Sequence, residues 1–133
     1  MSPPPNAADH RARVLIVDDE RKNRELLEVI LEAEGYLLVT ASSGEEALDL
    51  VRTQAPDLIL LDIMMPGLDG YQVVARIKAN PASKHIPVIM LTALDDRNSR
   101  THGLSAGAAD FITKPVNRAD VCERVKNLLA PVR

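Results

Sequence analysis

With 133 residues, 46% of them hydrophobic and 26% charged, the chain holds enough material for one compact domain and its core, and not for two. A formal net charge of −3, with no dense run of Lys or Arg, argues against a surface that neutralises phosphates along nucleic acid. The single cysteine, Cys122, excludes an internal disulfide, and no apolar stretch approaches the roughly 18 to 20 residues of a membrane span.

Residues 1–12 carry three consecutive prolines and no apolar period, so they are expected to form a disordered leader. They also lack the apolar core of a signal peptide, which together with the lone cysteine points to a cytoplasmic setting and no membrane partner. The domain is expected over 13–129, with 130–133 as a short tail and no room for an output domain. The first apolar run is Val14 to Val17, followed by a helix with Leu26, Leu27, Ile30 and Leu31 apolar and Gly35 as terminator. Leu37 to Thr40 reads as the second strand. In the helix that follows, Ser43 precedes Glu46 by three, the spacing of a capping box. Leu58 to Leu61 is the third strand, and Tyr71 to Ala79 the third helix, with Val73, Val74 and Ile77 inward. Val88 to Leu91 follows Pro87 as the fourth strand, then a polar helix from Asp96 to Ala106. Ala109 to Ile112 is the fifth strand, and Ala119 to Leu129 the last helix, its stripe formed by Val121, Cys122, Val125, Leu128 and Leu129.

Short apolar runs alternating with helical periods describe strands covered on both faces by helices. The expected fold is α/β, a doubly wound five-stranded parallel sheet of order 2-1-3-4-5. Such a sheet binds ligands beyond the carboxyl ends of its strands, where the strand order reverses. The residues at those ends are Asp18 and Asp19 after strand one, Asp62 after strand three, Thr92 after strand four, and Lys114-Pro115 after strand five. Crowded carboxylates repel unless a cation neutralises them, and oxygen donors without nearby Cys or His suit Mg²⁺. Acids, Mg²⁺, a lysine and a hydroxyl together make a site for a phosphoryl group. Asp62 is the candidate nucleophile, since a carboxylate can form an acyl phosphate and the LILL run before it pins its backbone. The turn at Pro66-Gly67 takes the chain away from it, and the Met64 backbone carbonyl can complete the metal shell.

The ordered set "VLIVDDE", "LILLDIMMPGLDGY", "VIMLTA" and "DFITKP" resembles the receiver domain of two-component response regulators over about residues 13 to 129. The resemblance implies a flavodoxin-like receiver fold, whose strand order is the one expected above, so the two are not independent. It implies that Asp62 accepts a phosphoryl group from a sensor histidine kinase or phosphotransfer protein, in a step that the domain itself catalyses. Asp18 and Asp19 then correspond to metal-binding acids, Thr92 to a switch hydroxyl, Lys114 to the site lysine and Phe111 to an aromatic switch residue. Pro115 corresponds to a cis-proline aiming Lys114 inward. Phosphorylation would draw Thr92 in and let Phe111 turn inward from the surface. That would change the face made by the 96–106 helix, the fifth strand and the last helix, through which a downstream protein or a second copy would bind.

Met64 and Leu94, two residues beyond Asp62 and Thr92, are apolar, from which slow autodephosphorylation is expected. An aspartate-nucleophile phosphatase is the enzymatic alternative, but it needs a second acid where Met64 stands. A scaffold that is never phosphorylated is disfavoured by the intact set of residues. The run "LTALDDRNSRTHGLSAGAADFITKP" also resembles receivers fused to cyclic-di-GMP enzymes or other outputs, so a front fragment of a larger regulator is a further alternative. Cys122 reads as a small core residue, His85 and His102 as surface residues, and Gly107 as the end of the polar helix.

Overall fold

The computed structural model describes residues 11–93, 101, 104 and 106–129. The 130–133 tail, Leu94, His102, most of the expected 96–106 helix and all of the leader except Arg11 and Ala12 lie outside the described residues. Along the chain run β1 (Arg13–Val17), α1 (Arg21–Glu32), β2 (Leu37–Ala41), α2 (Gly44–Gln54), β3 (Leu58–Asp62), α3 (Gly70–Ala79), β4 (Val88–Ala93), β5 (Asp110–Lys114) and α4 (Arg118–Leu129). Every paired strand is parallel, and the order is β2-β1-β3-β4-β5, as expected.

The continuous apolar runs are explained by cover on both faces. Alternate residues of the central strands point to opposite sides. Leu15, Val17, Ile59, Leu61, Val88 and Met90 join Ala47 and Val51 of α2 and Val73, Val74 and Ile77 of α3. Val14, Ile16, Leu58, Leu60, Ile89 and Leu91 join Leu27, Ile30 and Leu31 of α1 and Val121 and Val125 of α4. All five residues of β3 are buried, whereas β2, at the sheet edge, is mostly half-buried.

The strands run one or two residues further than their apolar stretches. Asp62 pairs with Leu91, Thr92 with Thr113, and Ala93 with Lys114, because the backbone ladder continues whatever the side chains are. Asp62, Thr92 and Lys114 are therefore held by the sheet itself, while Asp18 and Asp19 follow directly on the end of β1.

Three local expectations change. Leu26 faces outward, 46% exposed, because the buried stripe of α1 runs through Leu27, Ile30 and Leu31 and leaves Leu26 on the far side. At α2 the Ser43 hydroxyl does accept from the Glu46 N–H, but the Glu46 carboxylate reaches past the cap residue to the backbone N–H of Ser42 at 2.7 Å and to its hydroxyl at 3.1 Å. Ser42 supplies two donors where the reciprocal box would use one. A complete capping box occurs instead at α3, where Asp69 and Gln72 exchange side-chain-to-backbone bonds, each 2.9 Å. On α4, Cys122 is half-buried and not fully in the core, as are Leu128 and Leu129.

Candidate functional site

β1 and β3 lie side by side at the reversal of strand order, so Asp18 and Asp62 emerge next to each other. Both are almost fully enclosed, at 0% and 4% exposure, while Asp19 is exposed. One carboxylate oxygen from each of the three lies within 4.8 Å of the others. Lys114, brought over from the end of β5, donates to Asp62 Oδ1 at 2.9 Å and to Asp18 Oδ2 at 3.3 Å. The Lys114-Pro115 peptide is cis, in agreement with the resemblance. Thr92 is buried at the end of β4, 3% exposed, one residue beyond the partner of Asp62 in the ladder.

Three acids face one lysine, and the ionisation directions follow from that excess. Burial pushes the Asp62 carboxyl above its ordinary value; the Lys114 hydrogen bond opposes this, while the charges of Asp18 and Asp19 add to it. For Lys114, burial favours the neutral amine, but the hydrogen bond and charge of Asp62, with Asp18 behind them, outweigh it and hold the ammonium above its ordinary range. Such a cluster suits a hard divalent cation: the donors are all oxygens, they converge, and together they carry more negative charge than Lys114 balances.

Several supporting residues escaped the sequence reading. Arg24 of α1 donates from Nη1 to the Asp18 carbonyl at 2.8 Å, and the Glu20 N–H donates to Asp18 Oδ1 at 2.9 Å. Together they fix both ends of Asp18. Arg24 lies one helical turn into α1 on a polar face, and nothing in its spacing separates it from a solvated arginine. The Asp69–Gln72 box, by contrast, has a readable D-x-x-Q spacing.

Phe111 requires a correction in its resting position. It was expected at the surface, but its ring is buried, 6% exposed, within the cluster that contains Met90 and Val88. Phe111 pairs with Met90 in the ladder, and inward burial of the only large aromatic of β5 removes its apolar area from water. The Met64 side chain, two residues beyond Asp62, is 76% exposed and places no acid there. A cavity of about 1270 Å³ lined by Arg52, Arg76, His85 and Leu128, among others, lies at the opposite, amino ends of the strands, remote from these acids. No helix among the described residues is long and apolar enough to cross a membrane.

The fold and rim together define an α/β domain with an acid-and-lysine site at its topological switch point. A family model described as the response regulator receiver domain matches residues 14–126. Response regulator PleD of Caulobacter vibrioides is 48% identical over 117 residues, which cover 88% of this chain and 26% of PleD. The alkaline phosphatase synthesis transcriptional regulatory protein PhoP of Bacillus subtilis is 44% identical over 117 residues, covering 88% of this chain and 48% of PhoP. A response regulator from Chloroflexus aurantiacus, known from its crystal structure, superposes with a TM-score of 0.88 at 40% identity, covering 90% of this chain and 98% of that one. The chain belongs to the response regulator receiver domain family, whose domains are signalling switches. It spans about a quarter to a half of the length of these two curated relatives.

Proposed function

We propose that the domain is a phosphorylation-dependent switch in which Asp62 accepts a phosphoryl group from a phosphohistidine on a sensor histidine kinase or phosphotransfer protein. The observation that carries this is the Lys114 ammonium bridging Asp62 and Asp18 at the carboxyl end of the sheet, beside a third acid. One Asp62 oxygen attacks the phosphorus; the new P–O bond forms as the P–N bond breaks, and the released imidazole keeps the electron pair and takes up a proton from water. Asp18, Asp19, Asp62 and the Met64 carbonyl would hold Mg²⁺, which when bound supplies positive charge to the phosphoryl oxygens. Lys114 transfers its hydrogen bond from the Asp62 carboxylate to a phosphoryl oxygen, offsetting charge as it develops. Thr92 donates its hydroxyl to another.

Phosphorylation then shifts Thr92 and the balance of Phe111 between the inward position seen here and an outward one. The face carried by β5 and α4 changes with it, and a downstream protein or a second copy binds there. That face bears Arg124, which joins Asp110 of β5 and Asp120 of α4 at 2.7 Å each. Taking a two-state element from 1:99 to 99:1 needs about 5.5 kcal/mol, which several charge-assisted bonds in a partly dry site can supply. The apolar Met64 offers no group to orient a hydrolytic water, so the phospho-form is long-lived; a half-life of seconds in Mg²⁺ at neutral pH would contradict this.

Incubation with acetyl phosphate and Mg²⁺ followed by intact-mass measurement tests the assignment. An adduct of the mass of one phosphoryl group is expected, absent in Asp62→Asn; no adduct in the parent protein, or one that survives the substitution, overturns it. A single-domain output is not part of the proposal, since the matched relatives extend well beyond the shared segment.

A further inference from the structure

Two glycines, Gly44 and Gly70, each begin a helix on the same face of the sheet, and both are buried. Neither has a positive φ, so space and not backbone freedom is at issue. Their surroundings differ in which residues they meet. A Cβ on Gly44 would fall 2.7 Å from Val73 Cγ2 of α3, 2.8 Å from Leu68 Cβ and 3.1 Å from the Leu68 carbonyl oxygen in the loop before α3, with no atom of Asp62 or Ile63 among these nearest three. A Cβ on Gly70 would fall 2.6 Å from the carbonyl oxygen of Asp62 and 2.8 Å from the Cα of Ile63, with Met90 Cε at 2.9 Å. Those first two atoms are the backbone of Asp62, at the end of β3, and of the residue just beyond it; the β4 ladder holds the first, and the Ile63 N–H bond to the Leu91 carbonyl holds the second.

Gly70 also closes the loop that follows Asp62. Its N–H donates to the Ile63 carbonyl at 2.8 Å, while the Ile63 N–H donates to Leu91 at 3.2 Å. Ile63, the residue after Asp62, is thus held at both its N–H and its carbonyl. The loop leaving it, which carries Met64, returns to the same point, and the Asp69–Gln72 box fixes the start of α3 there.

We propose that Gly70 is a positioning residue for the phosphoacceptor: its missing side chain lets the first turn of α3 seat against the Asp62 carbonyl and set the orientation of the carboxylate and the adjoining loop. This deepens the reading of Asp62 as the acceptor and rests on it. Any side chain at 70 pushes α3 and the 63–69 loop away from β3, and misplacing a reacting group by about 1 Å can cost on the order of a hundredfold in rate.

The test compares Gly70→Ala with Gly44→Ala, since both crowd the same helical layer and only the first touches Asp62. Thermal melting, Mg²⁺ affinity by calorimetry with the metal alone, and the acetyl phosphate reaction at saturating Mg²⁺ are measured on each. Both variants melt lower, but only Gly70→Ala is expected to weaken Mg²⁺ and slow phosphorylation, each by about tenfold or more, with Gly44→Ala within about twofold of the parent. Equal effects from the two variants, or an unaltered site in Gly70→Ala, overturn the proposal. If the parent takes up no phosphoryl group, the acceptor reading fails by itself, and the Mg²⁺ comparison still decides the role of Gly70. Should Gly70→Ala not fold, amide hydrogen exchange in the parent decides: Mg²⁺ should slow exchange at Gly70 and leave Gly44 unchanged, and equal responses refute the assignment.

Discussion

Asp62→Asn keeps the shape of the side chain and removes its charge, and it should stabilise the metal-free domain. Asp62 Oδ1 sits 2.9 Å from the Lys114 ammonium, an attraction of about 5.7 kcal/mol at an effective dielectric of about 20. Against it stand Asp18 and Asp19, with carboxylate oxygens within 4.8 Å, each worth at least about 3.5 kcal/mol of repulsion on the same scale. The two repulsions together slightly exceed the attraction, and the cost of burying a carboxylate at 4% exposure adds to them with the same sign. An unfavourable remainder of about 1 to 2 kcal/mol fits the raised ionisation of Asp62 and the usual cost of an imperfectly satisfied buried polar group. A gain of that size raises the melting temperature by about 4 to 8 °C in a domain of this length. The pH sign is fixed as well. Because the folded protein holds the Asp62 proton more tightly than the unfolded chain does, parental stability falls as pH rises above the ordinary value of 3.8, and the asparagine variant lacks that decline. Mg²⁺ at ten times its dissociation constant should restore about 1.4 kcal/mol to the parent and much less to the variant. Urea and thermal melts in EDTA and in Mg²⁺, at pH 5 and pH 7, measure all of this. An asparagine variant that melts below the parent in EDTA at pH 7 would refute the charge accounting.

Lys114→Met leaves Asp18 and Asp62 buried without a counter-charge and should cost about 3 kcal/mol in urea melts without metal; a loss under about 0.5 kcal/mol would show that the bridge is not formed in solution. The stability supplied by Lys114 in the parent is present below pH 10.5 and is lost only as pH rises through its elevated folded-state value, so alkaline titration of the parent and of Lys114→Met should converge above that range. Arg24→Ala removes the bond to the Asp18 carbonyl and should lower stability by about 1 to 2 kcal/mol while weakening Mg²⁺; unchanged Mg²⁺ affinity would confine Arg24 to a structural role. Leu27→Ala should cost about 2 to 5 kcal/mol and Leu26→Ala less than about 0.5, and the reverse ranking would mean that α1 is rotated from the orientation described.

The strands and the rim residues were legible in the amino-acid sequence because a parallel sheet covered on both faces writes itself as continuous apolar runs, and because one strand direction puts every following residue on one edge; the strand order was not legible independently of the resemblance to receiver domains. Asp18, Asp19, Asp62, Thr92 and Lys114 could be gathered from position alone. What only the folded chain decided concerns distance and space. The reach of Lys114 to two acids at once depends on β5 lying parallel to β4, which brings its last residue to the same rim. Phe111 lies inward because the cluster around Met90 has room for a ring, a packing property that no spacing encodes. Arg24 reads as an ordinary surface arginine until α1 docks beside Asp18. Gly70 drew no reading from the sequence, and only with α3 seated on β3 does the 2.6 Å from its absent Cβ to the Asp62 carbonyl oxygen show that backbone already occupies that place.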